Sequence, residues 1–209
     1  MQGDDELMGM IALVDSGIGN LRSVEKALTT VGAVVERTSD PPIILEAEKV
    51  VLPGVGAFGD GMAGLEARGL IEPIKAIVAR GTPLLGICVG MQVFFEESEE
   101  HGRHAGLGFL AGAVKRFETR GLTVPQTGWN QVNACRENPL LDGLPPGVYA
   151  YFNHSYYCDA RPEDMLAETE YGIRYCSVVG CGALYGVQFH PEKSQKVGLT
   201  ILRNFVEKC

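Results

Sequence analysis

Over the first half of the chain, short apolar runs alternate with amphipathic ones. Residues 10–15 (MIALVD) form an apolar run of strand length. In the segment that follows, Leu21, Val24, Leu28 and Val31 recur at helical spacing, and Gly32 supplies a stop. Residues 33–39 (AVVERTS) and 49–54 (KVVLPG) read as the second and third strands. Residues 72–81 (EPIKAIVARG) read as a helix, with Pro73 near its start and Gly81 at its end. Residues 83–87 (PLLGI) are a fourth strand, and 91–97 (MQVFFEE) read as the start of a helix. Strands separated by helices of this length imply parallel βαβ units, in a sheet covered on both faces.

From about Gly106 the pattern changes. The runs GAVKRF, WNQVNA, GVYAYFNHSYY, MLAETE, IRYCSVV and ALYGVQFH are strand-like and joined by turns. A last helix over 195–207 turns Val197, Ile201, Leu202, Phe205 and Val206 inward. The predicted class is α/β: an open, mostly parallel sheet with helices on both faces and antiparallel additions in the C-terminal half. Residues 1–9 are expected to be a flexible extension and 10–209 one domain.

Composition narrows the function. The chain has 209 residues, 45% hydrophobic and 21% charged, enough to bury a substantial core. A net charge of -8 argues against nucleic acid as the main partner, because phosphate binding needs clustered Lys and Arg. The acidic run EESEE (96–100) reads as a solvated helix end. No apolar stretch is long enough for a membrane span, and the acidic start lacks the features of a signal peptide, so a cytoplasmic location is expected. The six cysteines are dispersed and expected to be thiols; Cys176 and Cys181 read as half-buried strand residues, not a zinc pair. No metal or cofactor is expected.

The candidate chemistry begins at 86–92 (GICVGMQ). Cys88 stands at a strand end, with Gly86 and Gly90 each two residues away. Glycine, any residue, nucleophile, any residue, glycine is the pattern of a strained strand-to-helix elbow that lifts the nucleophile clear of the backbone. The helix to follow would place its N-terminus near the sulfur and favour the thiolate. A structural cysteine packed between glycines is the alternative. A nucleophilic cysteine needs a base, and the base an orienter. Of four histidines, His101 and His104 fall in a polar loop expected to be exposed, and His154 in YFNHSYY. His190 follows an apolar strand, and Pro191 keeps it extended, so Glu192 can share its face and hold the imidazole. The run GVGAFG (54–59) fits a dinucleotide-binding turn, but the next strand ends at Ile87 and Cys88 without the acid that such a site requires. Its glycines suit a backbone donor to an oxyanion better.

The motifs GICVGMQ and GVQFHPEKS closely resemble the class I, triad-type glutamine amidotransferases. Longer stretches, among them DSGIGNLRSVEKAL, LPGVGAFGDGM, GWNQV, FNHSYY and HPEKSQKVGLTILRNF, resemble the glutaminase-subunit family of imidazole glycerol phosphate synthase, from about Met10 to the C-terminus. The resemblance implies hydrolysis of glutamine with Cys88 as nucleophile, His190 as base and Glu192 as orienter. It implies an oxyanion site from the backbone of Val55, Gly56 and Val89. Gly54, Gln92, His154, Ser155 and Tyr156 would hold glutamine. The ammonia would pass to a (β/α)₈-barrel cyclase subunit in a heterodimer, with Asn20, Trp129, Asn130, Tyr151 and Lys193 at or near the interface. Where the family has His-Met or similar before GWN, this chain has Gln126-Thr127.

Overall fold

A computed structural model describes residues 9–118 and 121–209. All but the last residue of the expected N-terminal extension lies outside them. The first half alternates as its pattern predicts: β1 (Ile11–Val14), α1 (Leu21–Thr30), β2 (Val35–Thr38), α2 (Pro41–Glu46), β3 (Lys49–Gly54), α3 (Phe58–Ala67), α4 (Ile71–Ala79), β4 (Leu84–Cys88) and α5 (Val89–Gln92). Strands then dominate: β5 (Phe95–Ser98), β6 (His104–Ala105), β7 (Leu110–Arg116), β8 (Gln126–Ala134), β9 (Val148–His154), β10 (Tyr156–Ala160), β11 (Met165–Glu170), β12 (Arg174–Cys181) and β13 (Leu184–Val187), before α6 (Gln195–Lys208).

The described strands form one 13-stranded sheet. Strands β2, β1, β3, β4 and β13 lie side by side and parallel. Beyond β13 the pairing is antiparallel through β12, β10 and β7, and a branch runs from β12 through β11 and β8 to β9. Every residue of β1, β4 and β13 is buried, so the central sheet is covered on both faces. Helix α1 packs with α6, and α2 with α4. Among the described residues no helix is long and apolar enough to cross a membrane.

Several expectations need correction. After Cys88 the helix lasts one turn, and by Phe95 the chain is a strand. Val93, Phe94 and Phe95 are all fully buried, and three consecutive buried residues do not fit one helical stripe. The acidic run is therefore no helix end. Glu96 accepts the Gly112 N–H (3.0 Å), Glu99 the Arg116 N–H (2.7 Å) and Glu100 the Phe58 N–H (2.6 Å). Helices α2 and α3 were not anticipated. In α3, Gly61 and Gly64 weaken helix propensity but permit close packing: a Cβ at Gly64 would lie 2.4 Å from the Ser16 carbonyl. Cys176 is buried and Cys181 exposed, as an odd spacing along β12 demands. His101 is exposed, whereas His104 is half-buried on β6.

Candidate active site

The local fold answers why a thiol stands between glycines. Cys88 ends β4 with φ 56° and ψ -112°, a conformation that L-residues rarely hold. A Cβ on Gly90 would lie 1.8 Å from the Leu52 carbonyl, and one on Gly86 2.6 Å from the Gly90 carbonyl. The turn closes only with glycine on both sides. Parallel pairing of β3 with β4 sets Gly54 beside Cys88, and the chain continues through Val55 to Gly56 at φ 88°.

His190 lies just beyond the end of the neighbouring parallel strand, β13, and lines the same cleft as Cys88. Its Nδ1 lies 3.0 Å from Glu192 Oε1, and both side chains are buried. The carboxylate can only accept, so Nδ1 carries the proton and Nε2 is left for the sulfur. His190 itself is extended, as expected (φ -99°, ψ 98°), but the chain does not stay so: Pro191–Lys193 form a 3-10 turn with proline at its first position. The turn still brings Glu192 onto the ring. Burial alone would lower the His190 pKa, but hydrogen bonds to Cys88 and Glu192 and their negative charges push it up to about 10. At neutral pH the imidazolium is the favoured partner of the sulfur.

The main chain of His190 is fixed as firmly as its ring. Its N–H donates to the Tyr151 carbonyl (2.9 Å). Ser194, which is buried, donates to the His190 carbonyl (2.7 Å) and accepts the Tyr151 N–H (2.9 Å). Ser194 was not singled out in the sequence, although it stands within the HPEKS run.

A cleft of about 100 Å³ opens at the sulfur. Val55, Gly56, Cys88, Val89, Gln92, His154, Ser155, Tyr156, His190 and Lys193 line it, together with Asn153 and Glu100, which sequence reasoning missed. Glu100 came from the misread acidic run. A surface groove of about 910 Å³ along 134–144 and Lys208 contains none of the expected site residues. The small cleft is the place where Cys88, His190 and the strained backbone converge.

Two expected binders are engaged within the protein. Gln92 Nε2 donates to the Tyr156 carbonyl and to Gln188 Oε1, both at 3.1 Å. His154 Nδ1 lies 2.7 Å from the same Tyr156 carbonyl and Nε2 3.3 Å from the Tyr175 hydroxyl. The His154 ring therefore shapes the cleft wall and has no free donor for a ligand. Burial drives its pKa down to about 4, against the opposing bond to Tyr156, so the ring is neutral.

Of the expected interface residues, Trp129, Tyr151 and Lys193 come together. The Trp129 and Tyr151 rings meet edge-on at 6.2 Å, and Lys193 Nζ lies 5.6 Å from the Tyr151 ring centre. Trp129 is 47% exposed, and Tyr149, not foreseen, is 53% exposed on the paired strand. Asn130 falls on the opposite face of β8 and donates to the Glu170 carbonyl (2.9 Å). Asn20 is exposed at the start of α1, a helix that packs against the Pro191–Lys193 turn. Among the described residues no group of three or more His, Cys, Asp or Glu could hold a metal ion.

A strand-end cysteine joined to a His–Glu pair on a mixed α/β sheet defines a class, the class-I glutamine amidotransferases, and the model of the family "Glutamine amidotransferase class-I" matches residues 12–209. The chain belongs to this family and, within it, to the HisH subunits of imidazole glycerol phosphate synthase. It is 50% identical over 201 residues to "Imidazole glycerol phosphate synthase subunit HisH" of Moorella thermoacetica, covering 96% of this chain and 95% of that one. It is 51% identical over 203 residues to the protein of the same name from Salinibacter ruber, covering 94% and 93%. Among solved structures, a "glutamine amidotransferase" superposes with a TM-score of 0.74 at 20% identity, over 94% of this chain and 97% of that one. The PurLQS structure from Thermotoga maritima gives 0.72 at 16%, over 94% and 96%. These two structures speak for the fold alone.

Proposed function

We propose that this chain hydrolyses glutamine to glutamate and ammonia and supplies the ammonia to a cyclase subunit in histidine biosynthesis. The observation that carries the reading is the strained Cys88 elbow sharing one cleft with the hydrogen-bonded His190–Glu192 pair, in a chain about half identical to HisH subunits.

The Cys88 sulfur, its proton passed to His190, attacks the side-chain amide carbon of glutamine. Backbone N–H groups of Val89 and the Val55–Gly56 loop receive the oxyanion. His190 gives its proton to the departing nitrogen, and ammonia leaves a thioester on Cys88. His190, now neutral, takes a proton from water as that water attacks the thioester; glutamate leaves and the thiolate is restored. Glu192 holds the tautomer and stabilises the cation in both halves. Glu100 keeps one carboxylate oxygen beyond the one bound to Phe58, which suits the α-ammonium group of an amino-acid substrate. Both hydrogens of the Gln92 amide nitrogen are spent on the protein, so Gln92 meets a substrate as an acceptor.

The cluster of Trp129, Tyr151 and Lys193 supports docking of the cyclase on the β8–β9 hairpin. The same hairpin holds the His190 main chain through Tyr151, so a partner seated there acts on the strand that positions the base. The test is glutamate production by the chain alone and mixed with a (β/α)₈-barrel cyclase. Glutamate formation that depends on Cys88 and rises with the cyclase is expected. Glutamine consumption unchanged in Cys88→Ala would remove the proposal.

A further inference from the structure

Gln188 is wholly buried and lies two residues before His190, in the stretch that leaves β13. It is neither base nor orienter, and the mechanism above makes no use of it. A primary amide without solvent must place two donors and an acceptor within the protein. Its Nε2 lies 3.8 Å from Cys88 Sγ, and its Oε1 accepts from Gln92 Nε2 at 3.1 Å.

The direction of this amide follows from a backbone group. The Tyr156 carbonyl can only accept, so the Gln92 atom that faces it at 3.1 Å is the nitrogen. That nitrogen has one more hydrogen, and it points at Gln188, which must answer with its oxygen. The Gln188 nitrogen is thereby turned to the sulfur. The main chain is held too: the Gln188 N–H donates to the Ser177 carbonyl at 2.9 Å, and β13 runs in parallel register with β4 as far as Val187 and Ile87.

We infer that Gln188 is a positioning residue for the nucleophile: its amide, locked by Gln92 and the Tyr156 carbonyl, donates to the Cys88 sulfur and holds it as a thiolate in one orientation. The inference rests on Cys88 being the nucleophile. A donor to an anion is a stronger bond than one to a neutral thiol, so the interaction favours the charged form. It also links the cleft to the sulfur, because Gln92 lines the cleft and grips Gln188. The other titratable groups around the sulfur are His190 and Glu192 from the 3-10 turn, Cys158 from β10, and Glu100, His154 and Lys193 around the cleft. Substitution of Gln188 leaves all six in place.

The test uses the full chain with Gln188→Met, which keeps the volume and removes the donor, and Gln188→Glu, which keeps the shape and adds an acceptor of like charge. Alkylation of Cys88 by iodoacetamide is followed against pH by peptide mass. The pH midpoint should rise by about one unit in Gln188→Met and further in Gln188→Glu, and kcat for glutamine in the cyclase complex should fall about tenfold with KM within about twofold. In the unsubstituted chain, the side-chain amide NMR signal of Gln188 should move when Cys88 is alkylated. Folded variants whose alkylation profiles superimpose on the parent, or a Gln188 amide signal that ignores Cys88 alkylation, overturn the inference. Glutamine hydrolysis that survives Cys88→Ala would instead overturn the assignment of the nucleophile, whatever Gln188 does.

Discussion

Residue 88 carries a backbone conformation that costs on the order of 1–3 kcal/mol, and flanking glycines make it attainable. Such strain persists only where the surroundings enforce it, and here it aims a thiol at an imidazole. The roles proposed for the three residues predict a graded series. Glu192→Gln keeps a base but loses the orienting charge, and should lower glutamine turnover by about 10⁴; His190→Ala removes the base and should cost about 10⁶. Steady-state glutamate release in the cyclase complex gives the comparison, with circular dichroism checking the fold. Equal losses would mean that Glu192 does more than hold the ring. Cys88, His190 and Glu192 were legible because their signals are local: a glycine spacing around one, a proline between the other two. Gln188, Ser194 and Glu100 were not. Gln188 meets Cys88 across 100 positions of sequence. Only the pairing of β13 with β4 brings them together, and no spacing encodes that register.

Element order in the parallel half was readable from period and punctuation. It failed where packing overrode propensity, in the glycine-bearing α3 and in the abrupt passage from α5 to β5. The last helix shows the opposite case, in which a predicted element depends on an unforeseen anchor. Lys49, on β3, donates its three ammonium hydrogens to the carbonyls of Phe205, Val206 and Cys209 at 2.9, 2.6 and 2.6 Å. These oxygens lie at the carboxyl end of α6, where helix carbonyls run short of partners. Burial lowers the Lys49 pKa, so the charge is retained at a desolvation cost, against which the negative end of α6 works. Lys49→Met keeps the stem and drops the donors. It should destabilise the chain by about 1–3 kcal/mol in urea unfolding and speed amide exchange in the last turn of α6. Unchanged exchange there would mean that α6 is held by its apolar face alone.

Across the whole molecule, the antiparallel half does more than extend the sheet. Its strands bury a polar seam among aromatic rings: Tyr175 from β12 donates to Gln126 from β8 at 2.9 Å and lies against His154 from β9. Phe117, Phe152 and Tyr175 surround the His154 ring at centroid distances of 5.3, 5.6 and 5.5 Å. Gln126 is part of this seam. The seam reaches the cleft, because His154 and Gln92 share the Tyr156 carbonyl. Stability at acid pH is therefore coupled to the site. Burial, the largest influence on His154, lowers its pKa from an ordinary 6.5 to about 4. Between these values the unfolded chain binds a proton at this residue and the folded chain does not. Stability must then fall as pH drops through that window, by up to about 3 kcal/mol at its lower end, and level off below it. The lowered carboxyl of Asp142 titrates beneath an ordinary value of 3.8, outside the window. Urea unfolding of the parent from pH 7 to 4 should show this slope. His154→Gln should be less stable at pH 7 yet lose much less on acidification, because the group that takes up the proton is gone. Parallel curves for parent and variant would show that His154 is not the residue that ties the acid limit of the fold to its active site.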